Sequence, residues 1–119
     1  MNESQWKTIR HFEPSEFDFP DKMNYKLLVM LDSARDVAGV PFKITSDYRE
    51  GATVDGGGVS AHAGGYGLDL EAHSSRTRYR IVDACLKAGF TRIGVYDAHV
   101  HVDVDPDKPT EVMWWGKSK

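Results

Sequence analysis

Cysteine is nearly absent from this chain, which carries one, Cys85, among 119 residues. A single thiol forms no disulfide within the chain and cannot build a zinc site from several thiolates. A long apolar run is also missing, and residues 1–6 lack the basic start and apolar stretch of a signal peptide. We therefore expect a protein made in the cytoplasm without a signal peptide and with no membrane partner.

The chain has no large excess of positive or negative charge, since its formal net charge is −3. No cluster of lysine and arginine is interleaved with aromatic residues, so nucleic acid and anionic membrane surfaces are not expected partners. A chain of 119 residues with 40% hydrophobic content suits one small globular domain, residues 1–119. That length leaves no room for a second catalytic domain, and we expect a monomer.

Hydrophobic periodicity predicts two helices. Apolar residues recur at three- and four-residue steps over residues 23–38, and again from a cap at Ser74 or Ser75 to about residue 88. A glycine follows each pattern, as it does at many helix ends. Residues 1–22 form a lead-in with a short helical turn, and residues 105–119 form a tail that closes back over a groove.

Short alternating segments predict strands between and after the helices. They cover residues 42–45, 67–71, 91–95 and 100–104. Together with the helices they indicate an α+β fold, an antiparallel sheet with helices packed on it. The seven glycines from Gly51 to Gly67 exclude regular structure over most of that stretch, which is either disordered or shaped around a ligand.

Four side chains suit a metal ion. His99 and His101 are two apart on a predicted strand, so they point to the same face and reach one object. His62 in the glycine-rich loop and Asp69 on the next strand add nitrogen and oxygen donors that suit zinc. Since a catalytic zinc site uses three protein ligands and keeps one position for water, one of the four is left over.

Each of these features also has an ordinary explanation. A His-x-His pair is common on an exposed strand face, and an aspartate such as Asp69 often faces solvent. Arg49 would then be a surface charge or an ion-pair partner of Asp47 or Glu50. What favours the metal site is the combination of these residues in this order and spacing.

Three ordered motifs carry a resemblance to a known family. The family pattern Ser-x-His-x-x-Gly-x-Ala-x-Asp is matched with glycine in place of alanine, and Ser-Gly-Tyr-Arg is matched with aspartate in place of glycine. A His-Val-Asp strand and a C-terminal tryptophan follow. The matching residues are Ser46, Asp47, Tyr48, Arg49, Ser60, His62, Gly65, Gly67, Asp69, His101, Val102, Asp103 and Trp114 or Trp115. The chain thus resembles, over about residues 12–116, the zinc peptidases that include D-Ala-D-Ala carboxypeptidases and L-alanyl-D-glutamate endopeptidases.

The resemblance implies a hedgehog/D-Ala-D-Ala-peptidase-like fold, one zinc ion per chain and a division of roles within the site. The implied zinc ligands are His62, Asp69 and His101. His99 would be the general base and acid, with Asp97 and Glu71 as the next candidates, and Arg49 would bind the oxyanion or a substrate carboxylate. The remaining roles are substrate binding by Ser60, Tyr48 and Trp114, and support of His101 by Asp103.

The implied substrate is a peptide bond in the stem peptides or cross-links of peptidoglycan. Without a signal peptide, such an enzyme is expected to be a phage or prophage endolysin released to the cell wall by a membrane-permeabilising partner, or a wall hydrolase carried in the phage particle. Two alternatives stay open. One is a non-catalytic zinc-containing peptidoglycan-binding or phage structural module, and the other is a D-Ala-D-Ala carboxypeptidase.

Overall fold

Two long helices lie on one face of a mixed sheet in the computed structural model, which describes residues 1–118. These residues form three α-helices, α1 (Glu3–Trp6), α2 (Tyr25–Ala38) and α3 (Ser75–Lys87), and one five-stranded sheet. Helix α2 starts after Asn24, whose side chain accepts the Leu27 N–H, and it ends at Gly39 in the left-handed region. None of the described helices has both the length and the apolar character needed to cross a bilayer.

The sheet contains the four predicted strands and one that was not predicted. The strands are β1 (Ile44–Ser46), β2 (Gly67–Glu71), β3 (Arg92–Tyr96), β4 (His99–Asp103) and β5 (Val112–Gly116). Their order is β1-β2-β4-β3-β5, and every pair is antiparallel except β3 with β5. The α+β class is confirmed, whereas the prediction of an antiparallel sheet is wrong at β5.

Strand β5 makes the sheet mixed because of the route the chain takes after β4. The connection over residues 104–111 carries the chain past β3, so β5 pairs with the outer side of β3 and runs parallel to it. The tail predicted over residues 105–119 therefore contains an edge strand. Its apolar residues are consecutive rather than alternating, so the periodicity of a half-buried strand is missing.

The two faces of the sheet have opposite chemistry. The face toward α2 and α3 carries fully buried aliphatic side chains, namely Leu68, Leu70, Ile93, Val100 and Val102. Because side chains alternate along a strand, the intervening residues point to the other face. Those residues include Asp69, Arg92, Gly94, His99, His101, Asp103 and Trp114. All the polar residues of the candidate site on these strands thus lie on the face without helices.

The lead-in is packed into the core rather than lying free on it. The ring of Phe17 lies 5.1 Å from Trp6 and 6.4 Å from Phe12, and all three side chains are buried. Asp32 of α2 fixes the backbone of the lead-in, because its buried carboxylate accepts hydrogen bonds from the backbone N–H groups of Arg10 and His11. Residues 1–22 thereby contribute apolar contacts that a domain of this size needs.

The one cysteine gives a direct test of the packing. Cys85 is fully buried in α3, and burial raises the pKa of its thiol to about 12. We expect the folded protein at pH 8 to react with Ellman's reagent at least about 100-fold more slowly than the protein in denaturant, because the thiol is both protonated and covered. Equal labelling rates with and without denaturant would contradict the packing of α3.

Candidate metal centre

The sheet register brings Asp69 and His101 together. Asp69 on β2 is the cross-strand partner of His101 on β4, and both side chains lie on the face without helices. Directly opposed residues on neighbouring antiparallel strands have Cβ atoms about 4.5–5.5 Å apart. The backbone hydrogen bonds of two central strands therefore fix the relative position of these two side chains.

His62 reaches the same point from a short 3-10 turn, Ala61–Gly64. The turn begins at Ser60, whose hydroxyl accepts the backbone N–H of His62 at 3.2 Å. It ends at Gly65, which has a left-handed φ of 73°. His62 is only 3% exposed, so this part of the glycine-rich stretch is ordered around a buried imidazole.

The hydrogen-bond partners of His62 determine which ring nitrogen carries the proton. Its Nδ1 lies 2.8 Å from the carbonyl oxygen of Asp47, and since a carbonyl only accepts, Nδ1 carries the proton. The other nitrogen, Nε2, lies 3.3 Å from Oδ1 of Asp69. In the neutral ring Nε2 therefore has a lone pair directed at the carboxylate, which is the state that binds a metal.

His101 is held in a similar way through its other nitrogen. Nε2–H donates to Oδ2 of Asp103 at 2.6 Å, and Nδ1 lies 3.1 Å from Oδ1 of Asp69. Asp103 is itself buried and accepts a hydrogen bond from Arg92. A carboxylate bound to the far nitrogen of a histidine fixes the ring and its tautomer, as in many metal sites.

Three electron-pair donors thus converge on one point. The ligand atoms of His62, Asp69 and His101 lie within 4.8 Å of one another. Two ligands about 2.0–2.1 Å from a tetrahedral ion lie about 3.4 Å apart, which agrees with the observed 3.3 Å and 3.1 Å from the carboxylate oxygen to the two nitrogens. The donor set, two imidazoles and one carboxylate, can hold a metal ion.

The charges in this group are strongly coupled. Burial of Asp69 favours its protonated form, but its favourable contacts with the imidazoles of His101 and His62 outweigh that effect and hold its pKa well below the usual range. Burial of His101 lowers its pKa, but the contacts with the carboxylates of Asp103 and Asp69 raise it by more, so the net shift is upward. The carboxylate is therefore ionised across the neutral pH range, as a metal ligand must be.

His99 lies beside this group but outside it. Its Nε2 is 3.9 Å from Oδ2 of Asp69, while Nδ1 is hydrogen-bonded to the hydroxyl of Ser118 at 2.8 Å. The ring stacks on Tyr96 with centroids 4.2 Å apart. Burial lowers the pKa of His99 below its ordinary value, which favours the neutral imidazole.

The structure also locates the other residues proposed as bases. Glu71 is the cross-strand partner of His99, but its carboxylate pairs with Lys43 at 3.3 Å and with His73 at 3.1 Å. Asp97 accepts the backbone N–H of Ser118, and its pKa is lowered mainly by that bond. Both carboxylates are thus engaged by neighbours other than the three ligands.

Arg49 is free of the ion pairs considered from the sequence. The carboxylate of Asp47 is buried and accepts the backbone N–H of Asp18 at 2.7 Å, and no ion pair or hydrogen bond of the Arg49 guanidinium occurs within residues 1–118. The backbone N–H of Arg49 donates to the carbonyl of His62 at 3.0 Å. Its backbone is therefore anchored beside a ligand while its charge is exposed.

Aromatic side chains border the site. The ring of Trp114 lies 5.6 Å from that of His101, and its Nε1–H donates to the hydroxyl of Tyr96 at 3.0 Å. Trp115 points to the other face and is 84% exposed. Tyr48 packs edge-to-face against Phe19 at 5.6 Å. Trp114 is thus the tryptophan next to the candidate metal ligands.

Sequence reasoning missed three contributors to this site: Arg92, Tyr96 and Ser118. Arg92 and Tyr96 share the face of β3 with Gly94, so alternation along the predicted strand places them toward the histidines. Gly94 allows the close approach of Trp114, because a Cβ there would lie 2.6 Å from the indole nitrogen. The contact of Ser118 with His99 has no counterpart in the sequence pattern.

Gly65 gives a test of how the turn is held. A Cβ at this position would lie 2.0 Å from the carbonyl oxygen of Lys22, in addition to the strain of a left-handed φ. We expect Gly65→Ala to lower the free energy of unfolding by more than about 3 kcal/mol. Gly57→Ala, with a φ of 90° but no atom within 4 Å, should cost about 1–2 kcal/mol.

Urea unfolding of the two glycine variants measures this difference directly. Both substitutions add the same methyl group at a positive φ, so the excess effect at Gly65 reports its contact with the lead-in. Equal midpoints for Gly65→Ala and Gly57→Ala would contradict the close approach of Lys22.

Comparison of the chain with protein-family models and with curated proteins found no match.

Proposed function

We propose that the chain is a zinc-dependent peptidase with a hedgehog/D-Ala-D-Ala-peptidase-like fold, which hydrolyses a peptide bond in peptidoglycan stem peptides or cross-links. The observation that carries the proposal is the convergence of His62, Asp69 and His101 with His99 beside them. Two imidazoles and one carboxylate are the protein ligands of many catalytic zinc sites, which keep a further position open. The motif resemblance supplies the reaction class.

The residues around the centre have separate tasks in this proposal. Zinc, when bound, supplies Lewis-acid chemistry that polarises a carbonyl and makes water more acidic. His99 takes the proton of the attacking water at Nε2 and passes it to the departing amine. Arg49 places its exposed guanidinium on the oxyanion or on a substrate carboxylate.

The neutral state of His99 supports its part in this scheme. A base must be unprotonated at the pH of the reaction, and burial lowers the pKa of His99. Stacking on Tyr96 and the hydrogen bond to Ser118 restrict the ring to one orientation. The lone pair of one nitrogen can thus be held toward the ligands without binding the metal itself.

Peptidoglycan is the substrate class that the three motifs favour. Trp114 provides an aromatic wall next to the ligands, and the face of the sheet that bears them is not covered by a helix. Asp69, His99 and Trp114 are partly exposed on this side, so a substrate peptide would reach the ligands there. We propose that the protein acts on the cell wall as a phage or prophage endolysin, or as a wall hydrolase of the phage particle.

Digestion of purified peptidoglycan tests the proposal. We expect about one zinc per chain, new amino groups released from the wall, and loss of this activity after treatment with a chelator, with recovery when zinc is returned. Mass spectrometry of the fragments identifies the bond. Zinc-loaded protein that binds the wall and releases no fragment would identify a non-catalytic binding or structural module instead.

A D-Ala-D-Ala carboxypeptidase is the second candidate, and the exposed guanidinium of Arg49 favours it. A carboxypeptidase needs a positive group for the terminal carboxylate of its substrate, and a planar guanidinium binds a carboxylate through two parallel hydrogen bonds. Release of free D-alanine without cleavage of cross-links would assign this activity. Fragments cut within the stem peptide would assign the endopeptidase.

A further inference from the structure

Arg92 is a buried cation behind the metal centre that no step of the proposed function uses. It lies on β3 and is 8% exposed. Its Nε–H donates to Oδ1 of Asp103 at 2.7 Å, and the other oxygen of Asp103 accepts the Nε2–H of His101 at 2.6 Å. The two oxygens of one carboxylate are therefore divided between an arginine and a metal ligand.

The same guanidinium makes two further contacts. Its NH1 group donates to the carbonyl of Pro109 at 2.6 Å, in the connection between β4 and β5. Its central carbon lies 5.2 Å from the ring centroid of Trp114, which in turn lies 5.6 Å from His101. One side chain thus joins a metal ligand, the aromatic wall and the connection that leads to that wall.

These contacts need an arginine rather than another cation. Guanidinium is planar and has five N–H donors in fixed directions, so it can bond Asp103 and Pro109 while its face lies against Trp114. Lysine has a single ammonium group and cannot make the three contacts at once. A buried carboxylate such as Asp103 also needs a cationic partner to offset its loss of hydration.

We propose that Arg92 is a positioning residue of the metal centre, which acts through Asp103 on His101 and through direct contact on Trp114. It holds Asp103 so that Nδ1 of His101 faces Asp69, and it holds Trp114 beside the ligands. The inference rests on the proposed function for the identity of the ion, zinc. Its test is therefore metal affinity and not cleavage.

Zinc affinity measured by competition with a chromophoric chelator provides the first test. Arg92→Gln is expected to bind zinc about 10–100-fold more weakly than wild type, which is the range for losing a residue that supports a metal ligand from outside the ligand set. Arg92→Lys keeps the buried charge and should weaken binding about tenfold, at the lower end of that range. Arg76→Gln, a change at an exposed arginine of α3, is the matched control and should bind zinc as wild type does.

A double-mutant cycle separates positioning from general loss of stability. If Arg92 acts through Asp103, then adding Arg92→Gln to Asp103→Asn should weaken zinc binding by much less than it does in the wild-type background. The cobalt-loaded Arg92→Lys protein at saturation should also show shifted visible bands, because the ligand geometry changes. Circular dichroism of the metal-free proteins shows which variants fold. If Arg92→Gln does not fold, the zinc affinity and the cobalt spectrum of Arg92→Lys test the inference.

Zinc affinity and a cobalt spectrum equal to wild type in folded Arg92→Lys and Arg92→Gln would overturn the inference. Additive losses in the double-mutant cycle would overturn the route through Asp103. Failure of the proposed function would give a different result. The wild-type protein would then bind zinc but leave peptidoglycan uncut, independently of the zinc affinities of the Arg92 variants.

Discussion

Replacing His62 with alanine is expected to abolish zinc binding and peptidoglycan cleavage together. Loss of a partner that merely supports a ligand costs about 10–100-fold in metal affinity, so removal of one ligand of three should cost more than about 100-fold. His62 supplies Nε2 at 3.3 Å from Asp69 and cannot be replaced by a neighbour, because the turn that holds it contains no other metal-binding side chain. Zinc content after gel filtration and fragment release from the wall are the two measurements.

His73→Ala is the matched control for this change. His73 is an exposed histidine that pairs with Glu71 and lies outside the ligand group, so its removal should change neither zinc content nor cleavage. The stability of metal-free His62→Ala should be measured as well, since the ring is buried and hydrogen-bonded to Asp47. A folded His62→Ala protein that retains one tightly bound zinc would refute the ligand assignment.

Replacing His99 with alanine is expected to reduce cleavage by about 100- to 10,000-fold while zinc stays bound, because a general base contributes that much and the three ligands remain. In the proposed function His99 transfers the proton, and its Nε2 lies 3.9 Å from Oδ2 of Asp69 while its ring is stacked on Tyr96. The measurements are the initial rate of amino-group release and the zinc content of the same preparation.

His99→Gln refines this experiment. Glutamine keeps a hydrogen-bonding group near Ser118 but cannot accept a proton at neutral pH, so it should be as inactive as alanine. Loss of zinc in either variant would mean that His99 is a fourth ligand. Near wild-type cleavage with zinc retained would exclude it as the base, and Glu71→Gln would then be the next variant to measure.

Periodicity in the sequence predicted most of the fold that positions the site. Strand β2 was predicted with its observed bounds, Gly67–Glu71, and alternation along β4 placed His99 and His101 on one face. These predictions succeed because a strand that is buried on one side must alternate, and its polar residues then share the other side. The opposition of Asp69 and His101 depends on strand pairing, which alternation alone does not determine.

What the sequence could not supply comes from contacts between distant segments. The proton on Nδ1 of His62 is assigned by a carbonyl 15 residues away, and the partner of the Asp47 carboxylate is the backbone of Asp18. Neither contact leaves a pattern in neighbouring residues. The parallel pairing of β5 was missed for the same kind of reason, since a chain that passes over one strand to join the sheet elsewhere has no local signature.

The unequal anchoring of the three ligands has a kinetic consequence. Asp69 and His101 lie on central strands and can separate only if the sheet opens, whereas His62 lies on a short turn bounded by Ser60 and Gly65. Short turns are held by fewer backbone hydrogen bonds than central strands and open locally more often, even where their side chains are buried. Entry and release of the ion should therefore follow the opening rate of this turn, and tightening the turn should slow exchange of the metal in both directions.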